Sequence, residues 1–415
     1  MAREKVLIVV IDFGLKDSWP IEDVSKELEE LVNTAGGEVK GCLLCRVHKP
    51  TAAYLIGSGK IEEIAGICSL QEIDTVIFSH DLKGNQQRNI EEVVKVKIID
   101  RTQLILDIFA HHAKSQEGKM QVELAQSEYL LPRLVGKGTE LSRLGGGIGT
   151  SGPGETKLEV DRRRIAERIA KLKQSLKELE SNRALNRKRR QDQGIPSLSL
   201  VGYTNAGKTT LLNSLTQAGQ VTADGLFTTL DSLSRQLVLP NHQKIVISDT
   251  VGFIHDLPHH LIESFKATLE EVSEADLLLE VLDVSHPNFR NLHQAVLDVL
   301  VELKANNKPL IVVLNKIDKV TDKGWIKDLE SNFEHAVAIS ACQGENIEKL
   351  TAKITQMLSA LLSEIEVNIP MNRMDLVNLA HKEGQVYSIK YYNDVVHLRA
   401  RVPVQIAGKF KQLIP

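Results

Sequence analysis

Eight consecutive residues, Gly202-Tyr203-Thr204-Asn205-Ala206-Gly207-Lys208-Thr209, fit the spacing G-x-x-x-x-G-K-[ST] without exception. The chemistry such a run can do is to hold phosphates. Two glycines let the backbone curl so that its N–H groups face an anion at a helix N-terminus. Lys208 is placed to reach the β- and γ-phosphates, and the Thr209 hydroxyl to ligate Mg²⁺. An apolar run precedes the loop and a helical pattern starting at Thr210 follows it, so strand, loop and helix stand in the required order.

Three further segments fall in order behind this loop. Asp249-Thr250-Val251-Gly252 ends a strand pattern 40 residues on. Its carboxylate is expected to hold the magnesium through water, and Gly252 to offer its N–H to the γ-phosphate. Asn315-Lys316-Ile317-Asp318 ends another strand pattern. A carboxylate at Asp318 would accept from the guanine N1–H and amine together; adenine lacks that donor pair, at a cost of about 1–3 kcal/mol. Asn315 would brace the loop, the Lys316 stem would cover the purine, and a backbone N–H of Ser340-Ala341-Cys342 would meet the guanine O6. Between the first two motifs lies Leu226-Phe227-Thr228-Thr229-Leu230-Asp231, where a threonine would close over the γ-phosphate and complete the metal shell. Thr228 and Thr229 both qualify on chemistry alone. The residue after Gly252 is Phe253, whose ring cannot orient the attacking water. Unassisted GTP hydrolysis is therefore expected to be slow and partner-stimulated.

The elements that must carry these loops alternate apolar strand patterns with helical ones. Residues 5–10, 39–47, 75–78 and 97–100 read as strands, with helices over 21–33 and 61–69, which predicts a small parallel sheet. Helical patterns over 120–134 and 158–190 flank a glycine-rich loop. Ile165, Ile169, Leu172, Leu176 and Leu179 repeat at 4-3-4-3 spacing, the seam of a two-helix coiled coil. The expected class is α/β in four parts: an N-terminal α/β subdomain (1–110), a helical arm with a glycine tip (111–195), a P-loop domain (196–364) and a small α+β domain (365–415). In the last, strand, helix, a hairpin turning at Asn393-Asp394 and a short tail are expected.

Hydrophobic residues make up 42% and charged residues 25% of the 415, a globular composition rather than a disordered one. No apolar run reaches the ~18 residues that span a bilayer, and the N-terminus lacks a signal-peptide pattern. A cytoplasmic, monomeric protein is expected. Cys42 and Cys45 form C-x-x-C in an apolar strand pattern with no second metal-binding pair at zinc spacing, so both read as buried structural thiols. Net charge is −3, but residues 162–190 hold eight Arg and four Lys against three Glu, an excess of nine. That points to an anionic partner. Arg143, Gly145, Gly146, Gly147, Gly149, Gly152, Gly154 and Arg162–Arg164 form the candidate RNA contact, read by shape and phosphate without DNA specificity. The Arg187-Lys188-Arg189-Arg190 cluster is expected to face RNA or solvent. An RNA-remodelling P-loop ATPase and a nucleotide-gated adaptor are the alternatives; the first is opposed by Asp318.

At these residues the chain resembles the HflX family, within the Obg–HflX group of translational GTPases. The forms Gly-Tyr-Thr-Asn-Ala-Gly-Lys at 202–208, Thr-Leu-Asp at 229–231 and Asp-Thr-Val-Gly-Phe-Ile at 249–254 carry the likeness, as do 99–109, 117–119, 121–126, 145–149, 152–155 and 158–163. The resemblance selects Thr229 over Thr228 as the switch threonine and, with Lys208 and Gly252, as part of the catalytic set. Ser232 replaces the usual proline and Thr209 the usual serine. It implies a Mg²⁺-dependent GTPase that binds and is stimulated by the large ribosomal subunit and splits stalled ribosomes, in the cytoplasm, on the ribosome or at the membrane periphery.

Overall fold

The computed structural model describes residues 3–14, 19–134, 157–192, 195–216, 226–227, 233–255, 258, 265–360, 362–392 and 394–411. They group into two units. The first takes in the described residues of 1–177 with Leu226, Phe227, Pro258, Phe265 and Lys266; the second holds the remainder.

In the first unit, β1 (Lys5–Asp12) is buried along all six interior positions, the signature of a strand covered on both faces. It pairs in parallel with β2 (Glu38–Arg46) and β3 (Thr75–Phe78), and β3 with β4 (Lys97–Asp100), giving the order β2-β1-β3-β4. Helices α1 (Ile21–Thr34), α2 (Ser58–Gln71) and α3 (Gly84–Val94) make the crossovers. The edge strand β2 is only half-covered. Side chains three apart on a strand take opposite faces, so Cys45 is 1% exposed while Cys42 is exposed, its Sγ 3.2 Å from Ser25 Oγ. The expectation of two buried thiols fails for Cys42. Asp100 caps α4 (Arg101–His112) through Gln103 N at 2.9 Å, and Ser115 caps α5 (Gln116–Leu130) through Gly118 N at 2.8 Å. That cap starts α5 four residues before the predicted point.

The long helix α6 (Lys157–Asp192) pairs with α5 through Arg168–Glu123 at 2.6 Å and Lys173–Glu128 at 2.7 Å. Of the five predicted seam residues Leu172 alone is fully buried; the others are half-buried, so the seam is shallow. The glycine loop, with Lys137 and Arg143, lies outside the described residues.

In the second unit six strands order as β10-β9-β8-β5-β7-β6. They are β5 (Ser197–Val201), β6 (Leu233–Val238), β7 (Lys244–Asp249), β8 (Leu277–Asp283), β9 (Leu310–Asn315) and β10 (Ala336–Ala338), all parallel except β6, which runs against β7. Helices α7 (Lys208–Thr216), α8 (Lys266–Glu274), α9 (Phe289–Glu302), α10 (Lys323–Asn332) and α11 (Ile347–Ala360) connect them. Leu198, Leu200, Ile247, Leu279 and Val313 supply the inner face, packed against Leu211, Leu212 and Leu350. The segments at 202–209, 249–252, 315–318 and 340–342 follow the carboxyl ends of parallel strands β5, β7, β9 and β10, where open α/β sheets present ligands.

The C-terminal sheet orders β11 (Leu362–Pro370), β13 (Val395–Pro403), β12 (Gln385–Tyr391), all antiparallel, under α12 (Met374–Glu383). The predicted tail is instead a helix, α13 (Val404–Lys411), because Ala407 and Phe410 find a core to fill and are 2% and 0% exposed. Asn393 of the predicted hairpin turn lies outside the described residues.

Candidate functional site

β5 delivers the chain to Gly202, and six residues later α7 begins at Lys208. The first residues of α7 thus present a helix N-terminus, with its unsatisfied N–H groups, to the loop. Lys208 is 7% exposed, and its Nζ donates to Gly202 O at 3.0 Å and Tyr203 O at 2.8 Å. Burial pushes its pKa down to about 8, against the pull of nearby Asp249. A lysine held this way is a cation set for an anionic ligand.

The loop is bolted to the segments at the ends of β9 and β10. Asn315, 2% exposed, donates from Nδ2 to Ala206 O at 2.8 Å and accepts on Oδ1 from Ala341 N at 3.0 Å. Lys316 Nζ donates to Asn205 O at 2.8 Å and pairs with Asp283 at 2.7 Å. Ser340 Oγ donates to Asp318 Oδ1 at 2.6 Å, which orients that carboxylate. Gly207 is needed where these parts meet: its φ is +97°, and an added Cβ would lie 2.4 Å from Asn315 Nδ2. Cys342, exposed, continues from Ala341. Three motifs read separately are one hydrogen-bonded assembly.

At the end of β7, Asp249 is fully buried and accepts from Thr209 Oγ1 at 2.7 Å. Two hard oxygen donors side by side fit a small divalent cation that keeps phosphate and water in its remaining positions. Mg²⁺ would be held here by Thr209 directly and Asp249 through water. Thr250 turns inward, its Oγ1 donating to Leu200 O at 2.6 Å, and Val251 is 6% exposed. Gly252 lies so close to the P-loop that an added Cβ would stand 2.7 Å from Thr204 Cγ2 and 3.0 Å from Lys208 Nζ.

Phe253 is 1% exposed. Its N donates to Gly202 O at 3.0 Å and its O accepts from Thr204 N at 2.8 Å, so the segment after Gly252 pairs with the P-loop like a short parallel strand. Tyr203 Oη accepts from His255 N at 2.9 Å and extends that pairing. Sequence reasoning missed this role of Tyr203 and that of Asp283, since neither has a spacing signal.

Not every candidate joins the assembly. Phe227 is 2% exposed with φ at +57°, and its ring packs 4.7 Å edge-on to Phe109 in the first unit; Phe265 meets Phe109 at 4.6 Å and Leu226 N donates to Thr34 Oγ1 at 3.2 Å. Its side chain is therefore a packing residue. Thr228, Thr229, Leu230 and Asp231 lie outside the described residues, as do Arg143, Gly145, Gly146, Gly147, Gly149, Gly152 and Gly154.

The basic cluster at the end of α6 needs correction. Arg187 Nη2 donates to Glu270 Oε1 at 2.5 Å, Arg183 stands 3.6 Å from Glu270, and Arg190 stands 4.0 Å from Glu271. Arg187 and Arg190 thus face acidic residues of α8, not RNA or solvent; Lys188 and Arg189 between them are exposed.

Comparison with known proteins finds relatives along nearly the whole chain. Family models described as GTP-binding GTPase N-terminal, GTP-binding GTPase Middle Region, 50S ribosome-binding GTPase and HflX C-terminal domain match residues 22–110, 112–190, 197–316 and 326–410. GTPase HflX of Caldanaerobacter subterraneus subsp. tengcongensis is 44% identical over 414 residues, covering 99% of this chain and 94% of its own length. GTPase HflX of Alkalihalophilus pseudofirmus is 42% identical, covering 94% and 90%, and that of Escherichia coli K12 is 41% identical, covering 89% and 86%. With the 202–209, 249–252, 315–318 and 340–342 segments joined in one place and relatives 41–44% identical matched over most of their length, the chain belongs to the HflX family and is a GTPase.

Proposed function

We propose that this GTPase works on the ribosome: it binds the large subunit, is stimulated by it, and uses the cycle to split or rescue stalled ribosomes. One observation carries the reading. The position after Gly252 holds Phe253, 1% exposed and paired through its backbone with the P-loop, so it offers the attacking water no polar group. Unassisted turnover is then slow, and a large partner must complete the site. The model matched over 197–316 is described as a 50S ribosome-binding GTPase, which names the partner class.

In this reading Lys208 leaves the Gly202 and Tyr203 carbonyls for the β- and γ-phosphates, while the amides of Asn205, Ala206 and Gly207 line the phosphate chain and Thr210 closes the loop. The Gly252 N–H meets the γ-phosphate. Thr209, Thr229 and, through water, Asp249 would hold Mg²⁺, which would supply charge neutralisation at the phosphates. Asp318, fixed by Ser340, reads guanine; Asn315 and Lys316 brace the loop beneath it. The exposed Arg162–Arg164 face and the glycine loop before it touch ribosomal RNA. The domains divide at 110, 195 and 364, and the protein resides in the cytoplasm, partly on ribosomes.

Co-sedimentation tests this. Purified large subunits should carry the protein down with a non-hydrolysable GTP analogue and release most of it with GDP. Equal recovery in both states, or none in either, would overturn the ribosomal reading and leave the GTPase itself intact.

A further inference from the structure

Asp283 closes β8 directly opposite Asn315 of β9, and Val284 N donates to Asn315 O at 3.1 Å, so the end of one strand is tied to the start of the 315–318 segment. Its carboxylate is used on both sides. Oδ1 accepts from Ser285 N at 2.9 Å and from Ser285 Oγ at 2.5 Å, and Oδ2 pairs with Lys316 Nζ at 2.7 Å. The Ser285 bonds fix the carboxylate, so it presents its second oxygen to the lysine in one orientation. The aspartate and lysine side chains are 18% and 19% exposed, which holds the pair mostly out of water.

Lys316 needs that hold. It is a non-glycine residue with φ at +64°, a left-handed backbone that persists only where the surroundings enforce it. Its ammonium also donates to Asn205 O of the P-loop at 2.8 Å. Both ends of the four-carbon stem are thus fixed, one by the strained backbone and the other between Asp283 and the P-loop. We infer that Asp283 is a positioning residue for guanine nucleotide, which rests on the guanine reading of the 315–318 segment and not on the ribosomal one. By pinning the Lys316 ammonium it orders the stem before the purine arrives. The loss of side-chain freedom is then taken out of the binding step, and the bound nucleotide escapes more slowly.

The test uses the full chain without any partner. Asp283→Asn removes the charge and keeps an oxygen for Ser285; Asp283→Ala serves should the asparagine variant fold poorly. Lys316→Met keeps an apolar stem and removes the ammonium. Release of a fluorescent GDP is followed for each variant and for the double variant, beside single-turnover hydrolysis over a range of GTP concentrations. The Asp283 variant should release GDP ~fivefold faster than the parent, as expected for loss of one coupled pair. It should need correspondingly more GTP to reach half its maximal rate, while the saturated rate stays within about twofold, the pattern of lost ground-state binding. Placed in the Lys316→Met background, the same change should add less than about twofold, because its effect runs through the lysine; a merely structural role would carry its full loss into that background. Parental GDP release from the Asp283 variant, an undiminished effect beside Lys316→Met, or a saturated rate that falls as far as the affinity would each overturn the assignment. Lys316→Met behaving as the parent would instead remove the guanine reading of that lysine, and the role of Asp283 with it.

Discussion

Two basic stretches lie on one helix and meet opposite fates. Arg162–Arg164 near the start of α6 are exposed; Arg163 and Arg164 reach no nearer than 3.9 Å to Glu167 and Asp161 of the same helix, with side chains 56% and 74% exposed. Arg183, Arg187 and Arg190 near its end are 21%, 13% and 27% exposed and face Glu270 and Glu271. Composition is the same; the difference is an acidic pair on α8. Exposed arginine ion pairs contribute little to stability. Half-buried arginines answered by carboxylates are structural, and costly to strand. Local charge density in a sequence shows where cations are, not what answers them.

The largest effect that would break the comparison comes from removing the answer. Glu270→Ala deprives Arg183 and Arg187 of their carboxylate at a half-buried site, and should cost about 2 kcal/mol, less than the 3–5 kcal/mol of a fully buried pair. Urea unfolding of the second unit's signal should show it as a lower midpoint. An unchanged midpoint would mean the α6–α8 pairs are no stronger than surface contacts.

Lys208 sharpens the contrast, as a buried cation whose Nζ donates to the Gly202 and Tyr203 carbonyls, near Asp249. Its pKa sits at about 8, pushed down by burial. Phosphate raises it, so binding above that pH must take up a proton and GDP affinity should fall by up to ~tenfold per pH unit as pH rises from 8. The nucleotide-free fold moves the other way. Between about 8 and 10.5 the unfolded chain keeps the proton that the folded one has lost, so this group adds stability as pH rises. Calorimetric GDP titration from pH 7 to 9.5 reads the first; a flat affinity would contradict the buried-cation account.

The smallest effect belongs to the exposed stretch. Replacing Arg162, Arg163 and Arg164 by Ala should change stability by under ~0.5 kcal/mol. It should lower the salt dependence of large-subunit binding by up to about three counterions, one for each arginine that no longer neutralises a phosphate. A large loss of stability, with the salt slope intact, would reverse the roles of the two ends.

That the candidate loops meet in one assembly was legible because the chemistry constrains the residues themselves. Phosphate demands glycines and a lysine at fixed spacing, and guanine demands a carboxylate, so Lys208, Asp249 and Asp318 could be read in one pass. Strands β3 and β4 were legible to the residue because burial on both faces leaves uninterrupted apolar runs. What stayed hidden depends on distant partners. Arg187 meets a glutamate 83 positions away, Phe227 turns to Phe109, and α13 forms only because the C-terminal sheet offers Phe410 a core. Cys42 was misread because strand alternation was not applied to its spacing from Cys45.

The central claim is that this GTPase lacks an internal group at the position after Gly252 and is completed by the large ribosomal subunit. Its most direct test is steady-state phosphate release by the full chain, alone and with purified large subunits, for the parent and for the variant lacking residues 145–154. The account predicts slow turnover alone, stimulation of at least ~tenfold by subunits for the parent, and little stimulation for the deletion with its unstimulated rate preserved. Fast turnover without subunits, or equal stimulation of parent and deletion, would contradict it.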